Sequence, residues 1–257
     1  MEKIEKKESR AVEDDIVYSF FEKNRKSFFI SGIVIAVLLV GLVAALIVRD
    51  VMQKDAIAKL DILVERYNEL RGNLAINNIY DTGNISDIEI DGGADANIAF
   101  DTSASVNIAA FDDLLTDLRS LGEKSSGYPA ARAWLMAANI YHERNSFKEA
   151  QDAWLAGAAK GGSTHLAPVC LYNAAVAGEA AGDLEAALSN YQKALAFADF
   201  PAAAHAQFSV GRLEEARGDN DAAVAAYRAL IEKWPADTDW TNLAHSRILF
   251  LEISSAD

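Results

Sequence analysis

The residues most able to do chemistry sit in one acidic stretch. Asp87, Glu89, Asp91 and Gly92 open as a calcium-binding loop opens, with oxygen donors on alternate positions and a glycine for the turn. Such a loop needs a bidentate carboxylate at its twelfth position, and Ile98 stands there. A metal site is therefore not expected. Cys170 is the single cysteine, set in an apolar helical pattern, and reads as a buried structural thiol. His142, His165, His205 and His245 have neither H-x-x-x-H nor H-E-x-x-H spacing, so zinc chemistry has no support. There is no G-x-S-x-G, and Gly161–Gly162 lacks the Lys-Ser/Thr that completes a phosphate-cradling loop. Glu214–Glu215 reads as a solvated helix face. The sequence predicts no enzyme activity, no cofactor and no small-molecule substrate.

The elements that would carry any other function are helices written in copies. GDLEAALSNYQKAL (182–195) returns 36 residues later as GDNDAAVAAYRALI (218–231), and a weaker copy, NSFKEAQDAWLAGA, occupies 145–158. Aligned by their turns, Asn145, Gly182 and Gly218 take the position where a left-handed cap favours Gly or Asn. Ala150, Ala187 and Ala223 follow five residues on, and Trp154, Tyr191 and Tyr227 nine residues on. Before each turn stands a small residue, Ala138, Ala175 or Gly211. Small side chains let two helices approach, and the ring fills the groove beside them. The prolines 129, 168, 201 and 235 fall where units begin or end. A repeat of this length signals stacked units rather than one compact active site.

Residues Phe28 to Val48 form an uncharged apolar run of 21 residues. As a helix it spans roughly 30 Å, the thickness of a bilayer's hydrocarbon core. The run is too long for a signal-peptide core and ends without a small-residue cleavage pattern, so a retained anchor is expected. Lys23, Arg25 and Lys26 precede it closely, against Arg49 alone after it, which favours a cytoplasmic N-terminus and a translocated C-terminal part. Overall, 24 basic against 38 acidic side chains give −14, with no basic stripe, which argues against nucleic-acid binding.

The expected organisation is all-α: a tail at 1–27, an anchor at 28–48, membrane-proximal helices at 49–128 and a repeat domain at 129–257. Apolar spacing gives helices over 51–71, stopped at Gly72, and over 108–121, stopped at Gly122. Between them, 73–106 is rich in Asn, Asp and Gly and lacks Lys and Arg; it reads as a flexible acidic insertion, with a short strand near Ile85–Ile90. The two flanking helices are expected to pair as a first unit. Residues 242–254 fit a capping helix that turns a polar face outward.

The repeats resemble the tetratricopeptide repeat, a helix-turn-helix unit of about 34 residues. The resemblance covers roughly 130–235 and implies that the first helix of each unit lines a concave groove. By it, the groove candidates are Arg132, Leu135, Asn139, His142, Val169, Tyr172, Val176, Glu179, His205, Phe208, Arg212 and Glu215. The set lacks the Lys and Asn arrangement that clamps a C-terminal carboxylate in chaperone-binding family members. It suits an amphipathic or extended protein segment better.

The membrane approach VYSFFEKNRKSFFISG and the segment GYPAARAWLMAANIYHERNSFKEAQDAW are similar to those of the YfgM-type family of bacterial inner-membrane proteins. That resemblance implies an ancillary subunit of the SecYEG translocon. Its repeats would lie in the periplasm and partner a PpiD-type chaperone or nascent secreted proteins. The alternative is a scaffold for a cell-envelope, division or motility complex, without client handling.

Overall fold

The computed structural model describes the backbone of residues 2–82 and 95–254, and side chains within 24–72 and 108–253. Nine helices are present among the described residues, with no strand. They are α1 (Glu2–Thr82), α2 (Asp95–Lys124), α3 (Tyr128–Glu143), α4 (Phe147–Gly161), α5 (Leu166–Ala180), α6 (Leu184–Leu195), α7 (Ala203–Ala216), α8 (Asn220–Lys233) and α9 (Thr238–Ser254). The chain divides into two compact units, 1–52 and 53–257.

In the first unit, the stretch beginning at Asn24 contains an 18-residue window of mean hydropathy 3.0, long and apolar enough to cross a membrane. Its large apolar side chains, among them Ile30, Leu38, Leu42 and Ile47, are all exposed. Nothing within that unit buries them, as expected of a helix whose solvent is lipid.

The second unit is a stack of helical hairpins. Its turns follow the aligned copies. Asn145, Gly182 and Gly218 have φ of 59°, 80° and 79°. Each closes the same pair of backbone bonds, as in Asp219 N–H to Glu214 C=O (3.0 Å) and Gly218 N–H to Glu215 C=O (2.9 Å). This is the Schellman arrangement, which satisfies carbonyls that a helix end would otherwise orphan. Asp183 and Asp219 then cap the following helices, accepting from the Ala186 and Ala222 amides at 3.1 and 3.0 Å. Ser146, which stands where the other two copies have Asp, makes no such side-chain bond.

Between the helices of each hairpin the small residues and rings meet as the spacing predicts. Ala138, Ala150, Ala175, Ala187 and Ala223 are fully buried, and Trp154, Tyr191 and Tyr227 nearly so. A Cβ on Gly211 would lie 2.5 Å from the Tyr227 ring. Tyr172 adds an edge contact to Tyr191 at 5.5 Å.

The expected first unit is also formed. Leu60, Leu63 and Tyr67 of α1 share one core with Phe111, Leu114 and Leu118 of α2 and Met136 and Ile140 of α3. Arg66 spans the two helices to Asp117 at 3.1 Å, and Arg144 of the α3 cap reaches Asp112.

Several boundaries differ from the sequence expectation. Neither Gly72 nor Gly122 ends a helix: α1 continues to Thr82 and α2 to Lys124. Gly122 is instead a packing position, since a Cβ there would lie 2.5 Å from Trp134 Nε1. The expected insertion 73–106 is helical at 73–82 and 95–106. Its remainder, 83–94, with the expected strand and the Asp87–Gly92 residues, lies outside the described residues. Finally, the outward surface of α9 is mixed: Asn242, His245, Ser246 and Glu252 are exposed, and so are Leu243, Leu249 and Ile253.

Candidate functional site

The first helices of successive hairpins, α1, α3, α5, α7 and α9, touch side by side, and the contacts between them repeat. Glu179 near the end of α5 accepts from the Tyr191 hydroxyl at 2.7 Å and pairs with Arg212 of α7. One unit later, Glu215 near the end of α7 accepts from the Tyr227 hydroxyl at 2.6 Å and pairs with Arg247 of α9. Each latch joins three helices: the carboxylate's own, its hairpin partner and the next first helix. Charge-assisted bonds of this kind are shorter and stronger than neutral ones.

The electrostatics follow the burial. Burial alone would raise the Glu215 pKa, but hydrogen bonds from Arg247 and Tyr227 outweigh it and hold the carboxyl below its ordinary value. Both latch tyrosines are driven well above the ordinary phenol range, by burial first and by the carboxylate they donate to second. They are therefore fixed as neutral donors at any physiological pH.

Alongside the latches runs an aromatic ladder. The Tyr172 hydroxyl lies 2.6 Å from His205 Nδ1. His205 stacks on Trp240 with centroids 4.0 Å apart and planes 11° off parallel. Phe208 packs against both Trp240 and Tyr227 at 5.3 Å. Tyr172, His205, Phe208 and Trp240 are all half-buried, so each keeps surface toward solvent. Burial, then the nearby Arg212 charge, lower the His205 pKa against the opposing pull of Glu179. The imidazole is thus held neutral, suited to stacking and to its bond with Tyr172.

The twelve sequence candidates separate into groups on this frame. Tyr172, His205 and Phe208 come together in the ladder. Glu179, Arg212 and Glu215 flank it, with their charges already paired within the stack. Val169 and Val176 are half-buried beside the α5–α7 core. In the first full hairpin, Leu135 is a core residue at 7% exposure, packed with Ala138 and Trp154, so it offers little to a partner. Asn139 acts on Tyr67 of α1, opposing the rise in its hydroxyl pKa that burial causes. His142 packs edge-on against Phe147 at 5.4 Å. Arg132 acts on Cys170, whose thiol burial pushes up to about 12.

Trp240 and Arg247 are missing from the sequence set. Both lie on α9, Arg247 within the stretch 242–254 expected as a cap and Trp240 just before it, and no aromatic copy marks that helix as part of a repeat. The signal was present in register: Arg247 follows Arg212 by 35 residues, and Trp240 follows His205 by 35. Nothing in this constellation resembles a catalytic arrangement. Among the described residues, no three His, Cys, Asp or Glu side chains cluster to hold a metal ion.

No family model matches the chain. It is 34% identical over 144 residues to a TPR repeat-containing protein of Treponema pallidum (strain Nichols). The match takes in 55% of this chain and spans 60% of that relative's length. The hairpin stack, its left-handed turns and this likeness together give the fold: all-α, a tetratricopeptide-like solenoid with an apolar helix near the N-terminus.

Proposed function

We propose that the chain is a membrane-tethered docking module for protein partners, with no catalytic role. One observation carries the reading: four half-exposed rings line adjacent first helices while the charges beside them are consumed in the stack. A surface of that kind offers stacking and apolar contact to an extended or amphipathic segment and asks little of its charge. Likeness to a tetratricopeptide protein supports an interaction role. The apolar window after Asn24 supports tethering, which raises the effective concentration of the groove near whatever works at the same membrane.

In its finer form, the module is an ancillary subunit of the SecYEG translocon in a bacterial inner membrane. Its N-terminus is cytoplasmic, and its repeats meet a PpiD-type chaperone or emerging secreted proteins in the periplasm. The support here is the resemblance in the membrane approach and first repeat, together with the basic flank before the apolar run. From residue 50 onward, 16 basic and 31 acidic side chains leave net −15, a field that holds the domain off anionic headgroups. Crosslinking in native membranes tests it. Translocon subunits among the adducts are the expected result; adducts confined to envelope-assembly proteins would establish the scaffold reading instead.

A further inference from the structure

One ring of the ladder can change its charge near neutral pH, and it stands at the centre. His205 of α7 meets Tyr172 of α5 through the 2.6 Å hydrogen bond and Trp240 of α9 through the 4.0 Å stack. Tyr172 in turn packs on Tyr191 and Phe200, with centroids 5.5 and 5.8 Å away. The imidazole therefore joins three first helices, and a segment laid along the rings covers it. A neutral imidazole has one donor and one acceptor nitrogen, whereas the protonated ring has two donors and a full charge. Covering the half-buried ring removes water that would solvate that charge, so the covered groove takes up the proton less readily than the open one. By linkage, docking and protonation then oppose each other.

The charges around the ring leave it without a carboxylate of its own. Arg212, two turns further along α7, opposes a proton on His205, and Glu179 of α5 favours one. That carboxylate is already engaged by Arg212 and by the Tyr191 hydroxyl of α6. The Tyr172 phenol is kept neutral, chiefly by burial. From α9 the contact is the uncharged Trp240 ring, and Asp239 beside it is exposed to solvent.

We propose that His205 gates the ladder: the groove takes its partner segment while the imidazole is neutral and releases it when the ring takes up a proton. The gate rests on the docking reading above and adds its regulation. Burial, then Arg212, already lower the His205 pKa in the open groove, so release falls below about pH 6.5. It stays above the carboxyl range near about 4.3, where the carboxylates of the latches titrate.

The test is photocrosslinking of the full chain in native membranes open to buffer on both sides. The reactive side chain replaces half-buried Val176, one turn from Tyr172, so that all four rings stay in place. Adduct yield is followed from about pH 7.5 down to about pH 5 and read relative to its value at the upper end. A several-fold, reversible fall with a one-proton midpoint is expected. Arg212→Gln should move that midpoint to higher pH, because it removes a cation and unpairs Glu179, and both changes favour the imidazolium. His205→Gln, whatever its own yield at the upper end, should show no further loss on acidification. A flat or rising yield in the parent chain, an unmoved midpoint in Arg212→Gln, or the same fall in His205→Gln would each overturn the gate and leave docking standing. No adduct at any pH would remove the docking reading and the gate with it. An unchanged helical circular dichroism spectrum of the purified full chain across this range separates release from lost fold.

Discussion

Gly211 carries no side chain because the Tyr227 ring takes the space a Cβ would fill, 2.5 Å from the backbone-built position. Tyr227 is fully buried and tied to Glu215, so the ring cannot swing aside. Gly211→Ala should therefore destabilise the fold by about 1–3 kcal/mol despite better helix propensity, measured as a lower midpoint in urea. Stability equal to or above the parent would remove the close-approach argument. Ala187→Trp should cost at least as much for the same reason, because Ala187 is fully buried between α5 and α6. At His205 the prediction concerns pH. Its folded pKa lies below the unfolded value near 6.5, so unfolded chains take up a proton that folded ones resist. Stability is complete above about pH 6.5 and declines as pH falls from there through the folded pKa. His205→Gln should flatten that part of the pH profile of Tm, with Arg212 and Glu179 left in place; an unchanged slope would show that the imidazole is not the group responsible.

At the scale of elements, the latches bind hairpin to hairpin. Glu215→Gln should cost about 1–2 kcal/mol, the figure being held down by solvent at the Arg247 end. Coupling between Glu215→Gln and Tyr227→Phe in a double-mutant cycle should exceed that between Glu215→Gln and the distant Tyr191→Phe. Additive behaviour within the first pair would contradict a shared latch. Because the folded Glu215 pKa is depressed, its contribution is present above the unfolded carboxyl pKa of about 4.3 and lost as pH falls through the folded value. These elements were largely legible in the sequence. Positive φ at Asn145, Gly182 and Gly218 and the alanine–aromatic pairs follow from local chemistry that repeats, and repetition makes it readable. The helices run past Gly72 and Gly122, which their sequence does not reveal, because a glycine inside a helix and a glycine ending one look alike until the neighbour is known; at Gly122 that neighbour is Trp134, from another helix. The ladder was half legible. Tyr172, His205 and Phe208 lie on helices that lead into a copy, whereas Trp240 lies on α9, which no such copy marks. Leu135 shows the complementary case: the resemblance places it toward the groove, and packing among α3, α4 and α5 buries it.

At the scale of the whole molecule, a helix apolar and long enough to cross a membrane stands in the first unit. The second is an acidic hairpin stack with half-buried rings on its first helices. Protease added to intact spheroplasts should digest the repeats and leave a fragment containing the apolar run and N-terminal tail; protection of the repeats would reverse the orientation. The central claim is that partners dock on the aromatic ladder of the first helices. Site-specific photocrosslinking tests it most directly, with the reactive side chain placed at Phe208 in one variant and at exposed Gln192 on α6 in another, both in native membranes. The account predicts discrete adducts to translocon or chaperone proteins from position 208 that are absent from position 192. Identical adduct patterns at the two positions, or none at 208, would contradict it.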